Sequence, residues 1–153
     1  MGKRSVIAEV VRRLRERHDR MVAAGRSSED YATDDESRAE DKYDTRGLEA
    51  SYLAAGQARQ VAELAESIQI LEDWSPADFP EGSAIGLGAL VEAEVDGVLA
   101  FFLMAPAGGG TVATYLGCEL TVLTMDSPLA RSMAGRRTGD AVDGGRLMVY
   151  GVE

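Results

Sequence analysis

The sequence is poor in the residues that build chemical sites. It holds one cysteine, Cys118, and one histidine, His18, in 153 residues. A single cysteine cannot form an internal disulfide, and one Cys with one His cannot complete a zinc site. No Ser/His/Asp or Cys/His set can be assembled without His18, which sits in a helical pattern far from Cys118. Aromatic residues make up only 6%. No stretch approaches the roughly 20 apolar residues that a membrane-spanning helix requires. Met1-Gly2-Lys3-Arg4 leads straight into a charged helical pattern, so neither a secretory signal core nor a myristoylation signal is expected. The net charge of −10 argues against a nucleic-acid binder acting through bulk charge. Hydrophobic residues nevertheless reach 45%, too many for a fully disordered chain.

The charge is unevenly spread. Residues 1–26 carry eight Lys/Arg against three Asp/Glu. Residues 27–44 hold Glu29, Asp30, Asp34, Asp35, Glu36, Glu40, Asp41 and Asp44, offset only by Arg38 and Lys42. All four prolines and most glycines lie from Pro76 onward, so a boundary is expected near Trp74-Ser75-Pro76. The expected domains are residues 1–75 and 76–153.

In the first domain, Val6/Ile7, Val10/Val11, Leu14, His18 and Met21/Val22 recur at helical spacing. Arg13, Arg17 and Arg20 fall on a separate face. Their plain role is solvation or pairing with acids of the second helix, and the sharper one is docking an acidic partner or RNA. A second helix is expected over residues 37–73, with a stripe of Leu48, Tyr52, Ala55, Val61, Leu64, Ile68 and Leu71. Gly47 and Gly56 each weaken it by up to about 1 kcal/mol. Two narrow-striped helices with a polar stretch between them predict an antiparallel hairpin of coiled-coil type. The second helix, roughly 50 Å long, would project, with the acidic segment at its distal end.

The second domain reads as strands. Leu90–Val95 and Val98–Met104 flank Asp96-Gly97, a strong hairpin turn. Residues 119–125 and Leu147–Val152 read as further strands. Ser127-Pro128 opens a short helix over residues 129–134, closed by Gly135. The fold class is therefore α+β, with a small antiparallel sheet carrying one short helix. Gly86-Leu87-Gly88 and Gly108-Gly109-Gly110 do not precede helices in βαβ units and fit neither a dinucleotide nor a Walker loop. Cys118 reads as a small buried hydrophobe.

Eight carboxylates within 18 residues serve either solubility or hard-cation chemistry, since Mg²⁺ takes oxygen ligands, typically one or two carboxylates with water and phosphate. Packing alone does not require them.

The string Asp126-Ser127-Pro128-Leu129-Ala130-Arg131, followed by Gly135, Gly139-Asp140 and a closing strand with Tyr150, resembles a segment of the bacterial Gre transcript-cleavage factors. Ala39-Glu40-Asp41-Lys42-Tyr43 is similar to the stretch that opens their second helix. The run from Lys42 to Leu53 looks like a divergent branch. The resemblance implies an FKBP-like second domain and docking at the secondary channel of bacterial RNA polymerase, hence a cytoplasmic protein. It implies that tip acids help hold a catalytic Mg²⁺ of the polymerase, which then hydrolyses its own backtracked transcript in a two-metal scheme. The protein itself would be an accessory factor without a tightly bound cofactor. Counting back from Tyr43, the tip positions fall on Glu36 and Ala39; the first is acidic and the second is not. The candidate catalytic set is Asp35, Glu36, Glu40 and Asp41, with Asp34, Asp35 and Glu36 facing the shared metal. Arg13, Arg17 and Arg20 would face the RNA 3′ segment or channel wall, and Ser127, Pro128 and Arg131 would dock on polymerase. A non-cleaving inhibitor using the same docking mode is the alternative. A peptidyl-prolyl isomerase is a third reading, but Phe101, Phe102, Trp74 and Tyr115 supply few aromatics for its pocket, and a shared fold does not carry function.

Overall fold

A computed structural model describes the backbone of residues 2–38 and 46–153, and the side chains of residues 2–25 and 55–153. Two helices come first, α1 (Lys3–Arg38) and α2 (Arg46–Asp73). Strands β1 (Leu90–Val95), β2 (Val98–Met104), β3 (Val112–Tyr115) and β4 (Cys118–Leu123) follow, then helix α3 (Pro128–Met133). The chain closes with β5 (Ala141–Val142), a 3₁₀ turn (Asp143–Gly145) and β6 (Leu147–Val152). The architecture is α+β, as the sequence pattern implies.

The acidic segment differs from its expected form. Residues 27–38 are helical and belong to α1, and α2 starts at Arg46 rather than near residue 37. No Gly or Pro interrupts residues 26–38. Extending an existing helix costs far less than nucleating one, so the helix runs on through a charged stretch. At about 1.5 Å per residue α2 is about 42 Å long, shorter than expected.

Two compact units divide the chain: Met1–Leu14 with Ser67–Glu153, and Arg15–Glu66. In the first, the apolar stripe of α1 is realised: Val6, Ile7, Val10, Val11 and Leu14 are buried. Leu71 of α2 is buried too, and a methyl added at Gly108 would come within 3.3 Å of both Leu14 Cδ1 and Leu71 Cδ1. In the second unit, Gly25 faces Gln57, with Oε1 3.7 Å from an added Cβ. Leu64 is buried, and His18, Met21, Val22 and Val61 are half-buried. Ala55, expected on the α2 stripe, is exposed. Its small side chain gains little by burial.

The sheet has the order β3-β4-β2-β1-β6-β5. Asp96 and Gly97 both have positive φ, 49° and 82°, as the mirror-image hairpin turn requires. A second two-residue turn, Leu116-Gly117, joins β3 and β4 with φ of 50° and 77°. β3 and β5 are absent from the sequence reading, because leucine at positive φ is uncommon and β5 is two residues long. Strand pairing is antiparallel except between β2 and β4, which run parallel. The chain crosses from β2 to the edge, forms β3, and returns to insert β4 between them. The sheet is thus mostly antiparallel, as the sequence pattern implies, with this one parallel pair.

One sheet face packs on α3. Val91, Ala93, Phe102, Met104, Leu147 and Val149 form a single apolar cluster with Ala130 and Met133. The start of α1 is fastened by Lys3. Its Nζ donates to Ala77 O at 2.6 Å and Gly88 O at 3.2 Å, and lies 4.6 Å from the Phe79 ring centroid. Burial pushes the Lys3 amine below its usual value, partly opposed by Asp78 and Glu153.

Candidate functional site

The segment from Asp126 to Gly135 is built by local chemistry. Ser127 has an extended backbone, and its hydroxyl accepts from the Ala130 N–H at 3.3 Å. Pro128 occupies the first turn, where a missing N–H costs nothing. Ala130 and Met133 point into the core, while Pro128 and Arg131 are exposed. Gly135, at φ 80°, ends the helix and exchanges with the strand entry: its N–H donates to Ile85 O, and Ile85 N–H to Arg136 O. Asp126 is held below the usual carboxylate range by a Thr124 side-chain hydrogen bond, then by its own backbone N–H and the Arg131 charge. The result is a fixed display of Asp126, Pro128 and Arg131 around a half-buried Ser127. Ser127→Ala removes the cap and is expected to cost about 1 kcal/mol in urea unfolding. An unchanged midpoint would show that the cap is energetically idle.

Gly139 and Asp140 do structural work beside this segment. Gly139 N–H donates to Val149 O at 2.8 Å, and Asp140 O accepts from Val149 N–H at 3.0 Å. Asp140 Oδ2 accepts from the Arg137 N–H, and the Arg137 guanidinium reaches Gly82 O. On β6, a register shift opposite Glu92/Ala93 sets Tyr150 apart, and its hydroxyl donates to Glu94 Oε2 at 2.5 Å. That bond raises the Tyr150 pKa. Strand periodicity carries no signal for such a shift.

The arginines of α1 divide. Arg13 Nε donates to Glu9 Oε1 at 3.1 Å, and Arg12 grips both oxygens of Glu9 at 2.8 and 2.6 Å. Arg13 therefore pairs with an acid of its own helix. Glu9 is lowered to about 2, mainly by the Arg12 hydrogen bond. A carboxylate lowered in the fold stabilises above its unfolded value near 4.5, and this contribution is lost as pH falls toward 2. Glu9→Gln is expected to flatten the decline of stability across that interval in urea titrations at stepped pH. A decline parallel to that of the parent would contradict the pairing. Arg17 and Arg20 are exposed.

Asp34, Asp35 and Glu36 lie on the α1 backbone, with side chains outside the described residues. Glu40 and Asp41 lie outside the described residues altogether. Among the described residues, no group of three or more His, Cys, Asp or Glu is placed to hold a metal. Cys118 is half-exposed on β4 rather than buried. It lies one residue before the first β2-paired position of β4, Glu119. His18 is half-buried, with Nδ1 3.4 Å from Asp19 Oδ1. Phe101 and Tyr115 are core residues in edge contact, with centroids 4.9 Å apart. No helix among the described residues is long and apolar enough to cross a membrane.

Fold and site together define an α+β protein in which an N-terminal helical pair precedes a six-stranded, mostly antiparallel sheet bearing one capped helix. Among solved structures, the chain is similar to GreA factor homolog 1 (Gfh1) of Thermus thermophilus, at 21% identity over 94% of both chains with a TM-score of 0.37. It is similar to a further structure of the transcription factor Gfh1, at 23% identity over 95% of this chain and 94% of that one, TM-score 0.38. It is also similar to Thermus aquaticus Gfh1, at 20% identity over 93% and 92%, TM-score 0.34. No family model matches the chain. No curated protein matches it.

Proposed function

We propose that this protein is a Gre-type factor that docks on bacterial RNA polymerase and presents acidic residues through the secondary channel to the active centre. The observation that carries this reading is the Asp126–Arg131 string, which resembles a segment of the Gre factors and is displayed on a capped, core-anchored helix. The concentration of eight carboxylates in residues 27–44 supports it, since hard oxygen donors suit Mg²⁺. Asp34, Asp35 and Glu36 would share the polymerase's metal, with Glu40 and Asp41 beside them. In the complex that metal supplies Lewis acidity for hydrolysis of a backtracked transcript. The protein's own carboxylates orient water there. Arg17 and Arg20 would face the RNA 3′ segment, and Arg13 does so only with Glu9 attached. The protein is then an accessory factor of the cytoplasm, not an enzyme in its own right.

Ala39, where the resemblance puts an acid, favours a second reading: a modulator that occupies the active centre without activating water. Both readings require a complex with polymerase. On native gels the protein is expected to shift core polymerase and backtracked elongation complexes, and Arg131→Glu to weaken the shift at least about tenfold. If the parent shifts neither, both readings fail.

A further inference from the structure

We infer that the helical pair carries a two-glycine hinge at the level of Gly25 and Gly56. The two residues lie at one height, because Gly25 of α1 faces Gln57, the neighbour of Gly56. Both sit inside helices, at position 25 of Lys3–Arg38 and position 56 of Arg46–Asp73. Glycine is the poorest helix former after proline, so each needs a reason for its place. Neither reason is steric. A Cβ at Gly25 would make only ordinary contact, 3.7 Å from Gln57 Oε1, and a Cβ at Gly56 would meet nothing within 4 Å. Nor is it conformational, since neither residue is among those with positive φ. Alanine fits both sites as they stand.

A third observation falls at the same height. Among the described residues, Gln57 Oε1 is buried without a hydrogen-bond partner. An unpaired buried acceptor is costly, and bending at this level opens it to water. Glycine leaves the backbone freer to depart from helical geometry than any other residue. Weak backbone in both helices, side by side, lets the pair bend as one body. A glycine in only one helix would be splinted by the other. The hinge lets the arm beyond it change direction on meeting a partner. The inference rests on the helical pair alone, so its failure leaves the polymerase reading standing.

The test uses spin labels at Ser37→Cys and Ala62→Cys in a Cys118→Ser background, with distances read by pulsed electron resonance. Twelve residues of helix put residue 37 about 18 Å beyond Gly25, so a swing of about 30° displaces it by about 9 Å. The parent is expected to show a distance distribution several ångströms wide. Gly25→Ala/Gly56→Ala is expected to cut that width by about half without loss of far-ultraviolet helicity. Each single variant should narrow it partly. An equal or greater width in the double variant overturns the hinge.

Discussion

Backtracked elongation complexes are expected to release short 3′ RNA fragments with the parent protein, and at least about 100-fold more slowly with Asp35→Ala/Glu36→Ala. The magnitude follows from what groups supporting a metal contribute: losing one such partner commonly costs 10- to 100-fold in affinity or activity, and two are removed here. Fragment release is read on sequencing gels after adding factor to stalled, backtracked complexes. Binding should persist, because the proposed docking residues, Ser127, Pro128 and Arg131, are unchanged in this variant. A double variant that still shifts polymerase but releases no fragments places the effect on chemistry. If the parent releases none and elongation slows, the modulator reading holds, with Ala39 as its sequence basis. If the double variant cleaves as fast as the parent, these acids are not the metal-facing ones, and the cleavage assignment fails.

Leu103→Ala is expected to give the largest loss of stability, about 2–5 kcal/mol. Leu103 is fully buried on β2, opposite Leu90 of β1 and beside Val122 of β4. β2 is a central strand, so the cavity has neighbours on both sides that cannot easily close it. Urea unfolding followed by circular dichroism measures the change. A loss under about 1 kcal/mol would mean that the site collapses around alanine, which close packing of a central strand does not allow. The exposed Val98, at the start of the same strand and 67% accessible, serves as control and should change little when replaced.

The parts legible in the sequence share one trait: their causes lie within a few residues. Asp96-Gly97 announces its turn because both positions need positive φ. Ser127, Pro128 and Gly135 mark the ends of α3 through capping chemistry. Val10, Leu14 and Leu71 declare their burial by helical spacing. Where several local signals competed, the outcome was harder to read. Residues 27–38 looked like a polar turn by charge, yet remained helical for want of a breaker. Leu116-Gly117 turns the chain with a residue that no turn rule favours, and β3 went unseen with it. The candidate metal acids were legible as composition only, since one-dimensional density does not say which carboxylates converge.

What the sequence determined by itself is the α+β class, the boundaries of β1, β2 and β6, the cap of α3 and the concentration of acid in residues 27–44. What the tertiary structure decided is which distant pieces meet. β4 lies parallel to β2 because the chain crosses to the edge and returns. Lys3 secures α1 through carbonyls 74 and 85 residues away. Tyr150 meets Glu94 across 56 residues through a shifted register. The physical reason is range. Backbone preference and side-chain periodicity act between near neighbours, whereas strand order and long-range hydrogen bonds depend on the simultaneous burial of the whole core. Local patterns therefore name the elements, and only the assembled core chooses their partners.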